Sequence, residues 1–130
     1  MAKSRTHHIG RLVTVVLEPG EPLLASVAQV ASSMGISFAS VSFRANLSSA
    51  RLILGRRRYT RRAHDPDRVS FDDGREVVGN GHITQSESGS VEVALRCAVG
   101  REREVLVADI VEATVGDGAT LTLVEGYAAA

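Results

Sequence analysis

The sequence has little of what several common classes of protein need. Its 130 residues include one cysteine, Cys97, no tryptophan, and one lysine beside 14 arginines. A single cysteine excludes an intrachain disulfide and is typical of proteins from a reducing compartment. No apolar run is long enough for a signal peptide or a transmembrane helix, so we expect a cytoplasmic protein without a membrane partner. The formal net charge is zero, which argues against a whole-chain nucleic-acid-binding polycation.

The spacing of apolar residues predicts an α+β fold with a mainly antiparallel β-sheet and one principal α-helix. We expect one domain over residues 9–126, a flexible N-terminal arm at 1–8 and a C-terminal tail at 127–130. Pro22 suits the first helical position and Gly35 suits a left-handed cap after the last one. Extended or alternating segments are predicted at 9–17, 36–43, 47–55, 76–85, 91–98, 104–115 and 120–124.

Three glycine-containing or polar segments are predicted to interrupt these elements. Gly79-Asn80-Gly81 is interpreted as a turn or bulge, and Gly116-Asp117-Gly118 as a break before the last strand. Residues 56–73 are polar and charged and contain Pro66. We expect a long excursion there, with at most brief strand pairing.

Five segments, taken in order, resemble the plant and prokaryote conserved (PPC) domain family. Residues 17–23 are similar to its "L-x-P-G-E-x-L" opening, and Gly35-Ile36 to its helix exit. Residues 42–52 resemble its "S-G-I-G-A-L-x-x-A-x-L" segment, and 81–84 its "G-N-I-S". Residues 93–100 resemble its "L-H-x-H" strand and the turn after it. The resemblance runs from about residue 11 to residue 125.

This resemblance implies a compact α+β domain whose subunits pack as a homotrimer. Some prokaryotic members are described as predicted DNA-binding proteins, whereas plant members contact DNA through a separate hook with an Arg-Gly-Arg core. Gly55-Arg56-Arg57-Arg58 is not such a core. DNA binding therefore does not follow from the resemblance alone.

The chain departs from the family where the family carries histidines able to hold a metal ion. The paired histidines correspond to Ala94 and Arg96, and a later Gly-Gly-His corresponds to residues 107–109, ending in Asp109. Three imidazoles suit catalytic zinc, but alanine has no ligand atom and arginine carries a permanent positive charge. We therefore predict no metal site, no cofactor and no catalytic residue.

The same resemblance places Arg44, His82, Arg96 and Asp109 near one another. They are therefore candidates to line a cleft. One hypothesis is that Arg96 and Asp109 form a buried ion pair that replaces the metal as a structural pin. The other is that Arg44 and Arg96 receive a small anionic ligand. His82 resembles a family asparagine near the cleft, although a half-exposed histidine is the plainer interpretation.

The remaining titratable candidates have simpler explanations. His7 and His8 are expected in a solvated arm and His64 on the surface. Cys97 falls on the apolar side of its strand and is expected to be a buried, unreactive thiol.

The densest basic stretch lies between residues 51 and 62, which contain no acidic residue. Its candidates for nucleic-acid or anion binding are Arg51, Arg56, Arg57, Arg58, Tyr59, Arg61 and Arg62. Arginines with an interleaved ring suit phosphate contact and base stacking. Acidic residues follow at once, however, so pairing within the excursion or with a neighbouring subunit explains the same pattern.

We therefore predict a non-catalytic, homotrimeric PPC-like binding or interaction module. One alternative is DNA binding through residues 51–62. Another is a metal-dependent enzyme of a decarboxylase-like fold, which the missing histidines disfavour. The expected partners are further copies of the chain, with DNA, another protein or a small anion as the alternatives.

Overall fold

The computed structural model describes residues 2–54 and 68–128. Its elements are β1 (His7–Leu17), α1 (Leu23–Met34), β2 (Ala39–Leu54), β3 (Arg68–Phe71), β4 (Arg75–Gln85), β5 (Val91–Arg101) and β6 (Glu104–Ala128). All the strand pairings are antiparallel. The predicted α+β fold with one helix is confirmed. Of the predicted excursion, 56–67 lies outside the described residues, and β3 provides the brief pairing with β2.

The helix α1 has the termini that the sequence indicated, shifted by one residue at its start. Pro22 adopts an extended conformation before the first helical residue instead of occupying that position. Val27 and Ala31 lie on the buried stripe of the helix. Gly35 ends it at φ 69°, and the Ile36 amide donates to the Ala31 carbonyl at 2.9 Å. Within the described ranges, no helix is long and apolar enough to cross a membrane.

Strands β2, β4, β5 and β6 form a closed circuit of neighbours. β4 lies between β2 and β5, while β6 pairs with β5 through residues 104–109 and with β2 along most of its length. β1 pairs with the second half of β6. One face of these strands packs with α1 around an apolar core that includes Leu23, Leu47, Ile83 and Leu121. The opposite face is left for contacts with solvent or a partner.

The predicted division into separate strands at 36–43 and 47–55, and the predicted break at 116–118, are both wrong, because the chain passes both places without leaving the sheet. β2 continues through Leu47, and β6 continues through residues 116–118. The partners of Asn46 and Leu47 on β6 are Gly118 and Val115, so two β6 residues bulge out of the ladder. The Asn46 side chain satisfies this bulge, since its Oδ1 accepts from the Asp117 amide at 2.9 Å.

The predicted turn or bulge at Gly79-Asn80-Gly81 is also wrong. These residues lie in the middle of β4 and pair in regular register with both β2 and β5. An added Cβ on Gly79 would lie 2.0 Å from the Arg96 carbonyl oxygen, and one on Gly81 would lie 2.0 Å from that of Ala94. Glycine is therefore needed here for close approach of the neighbouring strand, not for chain reversal.

The two terminal strands extend beyond residues 9 and 126. His7 and His8, predicted in the arm, begin β1 and pair with Ala128 and Tyr127, which were predicted in the tail. The His7 ring stacks on Phe38, with ring centroids 5.0 Å apart. The terminal segments pair because each supplies the other's backbone partners, a long-range effect that local polarity does not reveal.

A buried carboxylate joins the two terminal strands to the helix. Glu125 on β6 is 2% exposed. Arg11 on β1 donates to both of its carboxylate oxygens at 2.9 Å and to the Met34 carbonyl at 2.7 Å. Tyr127 donates its hydroxyl to the same carboxylate at 2.8 Å. Hydrogen bonds from Arg11, above all, lower the pKa of Glu125 to about 2.

Candidate functional site

The exposed face of the circuit carries two adjacent rows of side chains, aligned by the strand register. The polar row consists of Thr122, Ser42, Asn80, Arg96 and Asp109, and the mixed row of Thr120, Arg44, Val78, Ala98 and Val107. In each row, consecutive residues come from neighbouring strands and are direct partners. Because side chains alternate along a strand, all of them project away from the core.

An open pocket of about 690 Å³ lies across these two rows. It is lined by every member of both rows except Asp109, together with Phe43, Gly79 and Cys97. Its volume falls within the range typical of small-molecule sites. We refer to it as the Arg44–Arg96 pocket.

Arg96 and Asp109 are direct partners across β5 and β6, as the family resemblance led us to expect. Their closest charged atoms are 3.9 Å apart, and the two side chains are 52% and 61% exposed. The hypothesis of a buried structural pin is therefore wrong in its essential feature. An ion pair this open to solvent contributes little to stability.

The positions where the resemblance led us to expect metal ligands carry side chains that do not fit a metal ion. Ala94 lies on the same exposed face as Arg96 and Asp109, but its methyl group offers no ligand atom. The Arg96 guanidinium has only hydrogen-bond donors and places a positive charge beside the single carboxylate. Among residues 2–54 and 68–128, no group of three histidine, cysteine or acidic side chains is close enough together to hold a metal ion.

His82 lies on the exposed face but does not line the Arg44–Arg96 pocket. It pairs with Ser40 and Ala94, one step along the strands from Asn80. The residue that occupies the pocket from this part of β4 is Asn80 instead. The plainer interpretation was a half-exposed histidine, and in the structure His82 is exposed.

Arg51 is the one member of the basic stretch that lies within the described residues. It is exposed on β2 and forms an ion pair with Glu112 on β6. Arg56, Arg57, Arg58, Tyr59, Arg61 and Arg62 lie outside the described residues. Among the described residues that flank this segment, Ile53 pairs with Arg68.

Cys97 is buried, with its side chain on the core face of β5. Burial raises the pKa of its thiol to about 11, and the nearby Asp109 charge acts in the same direction. A thiol with so little thiolate at neutral pH is a poor nucleophile, as the apolar side of the strand indicated.

The sequence interpretation missed the neutral polar part of the pocket, which is supplied by Asn80, Ser42, Thr120 and Thr122. Asn80 was assigned to a turn, and Thr120 to the start of a separate short strand. Alternation along uninterrupted strands would have placed all four on one face. The glycines on either side of Asn80 concealed that signal.

Comparison with solved structures shows the same fold in three proteins of low sequence identity. A metal-containing protein of Archaeoglobus fulgidus is 15% identical, with a TM-score of 0.82 over 99% of this chain and 89% of that chain. A plant- and prokaryote-conserved (PPC) protein of Pyrococcus horikoshii is 18% identical, with a TM-score of 0.81 over 99% and 87%. A proposed DNA-binding protein of Ralstonia eutropha is 21% identical, with a TM-score of 0.70 over 88% and 76%.

Among curated proteins, no relative matches. The model of the Plants and Prokaryotes Conserved (PCC) domain family, however, matches residues 4–125, which is nearly the whole sequence. The chain therefore belongs to the Plants and Prokaryotes Conserved domain family.

Proposed function

We propose that the protein is a non-catalytic, homotrimeric binding and interaction module that acts in the cytoplasm. The observation that carries the assembly is the exposure of large apolar side chains on strands. Leu12 and Val16 on β1 are 71% and 67% exposed, and Val105 on β6 is 71% exposed. Exposed apolar side chains that share one face of a strand, as Leu12 and Val16 do on β1, are typical of surfaces that a partner covers. The family resemblance favours two further copies of the chain as that partner.

The test of assembly is the mass of the purified protein in solution. Light scattering coupled to size-exclusion chromatography is expected to give three times the 13.8 kDa mass of the chain. Val16→Glu combined with Val105→Glu is expected to lower that mass, because a buried interface does not tolerate unpaired charges. Ser33→Glu, on the exposed side of α1, is the matched control and should leave the mass unchanged. A wild-type monomer or dimer would overturn the trimer.

The proposal of a non-catalytic role rests on the donor chemistry at Ala94, Arg96 and Asp109. One oxygen ligand beside a fixed positive charge is a poor site for the zinc that a metal-dependent enzyme of a decarboxylase-like fold would need. Elemental analysis of protein purified without chelators provides the test. Zinc at one equivalent per chain would overturn this part of the proposal.

DNA binding is the second candidate, and further arginines among the described residues favour it. Arg68 and Arg101 are exposed and line a second pocket together with Arg75 and Glu102. These cations would add to Arg56, Arg57 and Arg58 in contacting phosphates. The solved structure from Ralstonia eutropha, itself a proposed DNA-binding protein, shares the fold.

A gel-shift titration at two salt concentrations separates this candidate from the first proposal. Phosphate contacts predict a steep loss of affinity at the higher salt concentration. The triple variant Arg56→Gln, Arg57→Gln and Arg58→Gln should weaken the shift, whereas Arg5→Gln in the N-terminal segment should not. No shift at low salt, or a shift that the triple variant does not change, would remove DNA binding through this stretch.

A further inference from the structure

Two cationic side chains and an apolar surface line the same pocket, the Arg44–Arg96 pocket. Arg44 makes no ion pair with any described residue, and the only such contact of Arg96 is the 3.9 Å approach to Asp109. Both guanidinium groups therefore retain donors that no carboxylate of the described chain takes up. A guanidinium in this state is an open site for an acceptor with negative charge.

The strand register places the two arginines at opposite corners of the same small area. Arg44 is the partner of Val78, Asn80 is the partner of Arg96, and Val78 and Asn80 are two residues apart on β4. The Cα atoms of Arg44 and Arg96 are two strand spacings apart across the sheet and two residues apart along the strands, which gives a separation of about 12 Å. Two extended arginine side chains can reach a common group from opposite sides at that separation. Asn80, between them, offers an amide donor to the same group.

Beside the charged groups lies a strip of small and branched apolar side chains. Val78 and Val107 are 54% and 51% exposed, and Ala98 lies between them on β5. Water alone is a poor neighbour for this strip, whereas the apolar or planar part of an organic molecule would cover it. The pocket is thus divided into a cationic half and an apolar half.

The cationic half suits a phosphate group better than a carboxylate. A carboxylate has two acceptor oxygens, and a single guanidinium can engage both of them in a bidentate pair. A phosphate monoester carries a charge of −1.5 to −2 and three acceptor oxygens, which is enough for two guanidinium groups and an amide. The volume of about 690 Å³ admits a small molecule, and only two arginines are present where a nucleic-acid groove would present a longer series.

We propose that the Arg44–Arg96 pocket binds a small phosphate monoester, with the phosphate between Arg44 and Arg96 and the organic part on Val78, Ala98 and Val107. All the groups that this site needs belong to one chain. The inference goes beyond the assembly proposed above and does not rest on it.

The experiment is a two-dimensional amide NMR titration of the full chain with three matched probes: phenyl phosphate, inorganic phosphate and benzoate. Phenyl phosphate is expected to bind most tightly, because it alone supplies both the dianion and the apolar ring. Signals of Asn80 and Ala98 are expected to shift. Light scattering on the same samples records the oligomeric state, so a failed trimer and a failed binding site are told apart.

Variants locate the site. Arg44→Gln and Arg96→Gln should each weaken phenyl phosphate binding by about tenfold or more, since each removes hydrogen bonds to a charged group. Val78→Asn should remove the advantage of phenyl phosphate over inorganic phosphate. Arg51→Gln is the control. Arg51 is also an exposed arginine on β2, but it lies outside the pocket and pairs with Glu112. Melting curves check that each variant is folded.

Three results would overturn the proposal. The first is no change in the signals of pocket residues with phenyl phosphate. The second is binding that Arg44→Gln and Arg96→Gln leave unaltered, which would place the anion elsewhere. The third is equal affinity for benzoate and phenyl phosphate, which would refute the choice of phosphate.

Discussion

Replacement of Arg96 by alanine is expected to change the free energy of unfolding by less than about 1 kcal/mol. The guanidinium lies 3.9 Å from the Asp109 carboxylate, and both side chains are more than half exposed. Two unit charges at this distance attract by about 1 kcal/mol in water, and ordering two long side chains offsets part of that. A buried pin would instead cost about 3 to 5 kcal/mol when one partner is removed. The structure therefore reverses the expectation that the sequence suggested.

The assay is urea unfolding of the wild type and Arg96→Ala at the same protein concentration, followed by circular dichroism. The corresponding change in melting temperature is below about 5 °C for a domain of this size. A double-mutant cycle with Asp109→Asn isolates the pair, and its coupling energy should stay below about 0.5 kcal/mol. Arg51→Ala is a matched control, because Arg51 and Glu112 form an ion pair of similar exposure. A loss above about 2 kcal/mol for Arg96→Ala alone would refute the reasoning.

Three further predictions concern the fold itself. The pKa of Glu125 is lowered to about 2 in the folded state, so its contribution to stability is fully present above its ordinary value of 4.5 and is lost as the pH falls from there towards 2. Glu125→Gln should flatten the acid limb of a plot of stability against pH, and an unchanged limb would contradict this. Gly79→Ala should cost about 2 kcal/mol or more, because the new methyl group meets the Arg96 carbonyl, whereas Gly100→Ala should stay within about 0.5 kcal/mol because an added Cβ there meets nothing within 4 Å. Cys97 should react slowly with Ellman's reagent at pH 8 in the folded protein and quickly in urea, since burial raises its pKa to about 11; fast reaction before unfolding would show that it is accessible.

Local signals predicted the elements whose geometry is itself local. Gly35 marks the end of α1 because a left-handed cap depends on that residue alone. The alternation of Val93, Leu95 and Cys97 with Ala94 and Arg96 identified the two faces of β5 because side chains alternate along any strand. These features need no knowledge of a distant partner.

The errors arose where a distant strand decides the outcome. A glycine in the sequence can mark a turn or a strand position that another backbone approaches closely. At Gly79 only the nearby Arg96 carbonyl distinguishes the two. Likewise, Glu125 next to Gly126 looks like a surface residue at a chain end. Its burial depends on Arg11, 114 residues away in the sequence.

The candidate site was predicted in part for the same reason. The resemblance brought Arg96 near Asp109, and the register of β5 and β6 pairs them. The resemblance could not predict that Arg96 and Asp109 are exposed to solvent, because their exposure depends on which face of the sheet α1 covers. Asn80 and the threonines of β6 were missed because strand continuity determines where they lie.

The resemblance, which places histidines at the positions of Ala94 and Arg96, implies a change in the sign of the charge that this face attracts. A neutral imidazole offers a lone pair and so selects a cation, whereas a guanidinium offers only donors and so selects an acceptor. Ala94 removes one ligand without adding a donor, and Arg96 turns another from acceptor to donor. Asp109 offsets one positive charge from the rim of the pocket, but nothing among the described residues pairs with Arg44. Arg44 and Arg96 thus leave an excess of positive charge beside an exposed valine. An organic anion would pair with the charge and cover the valine, whereas a metal ion would do neither.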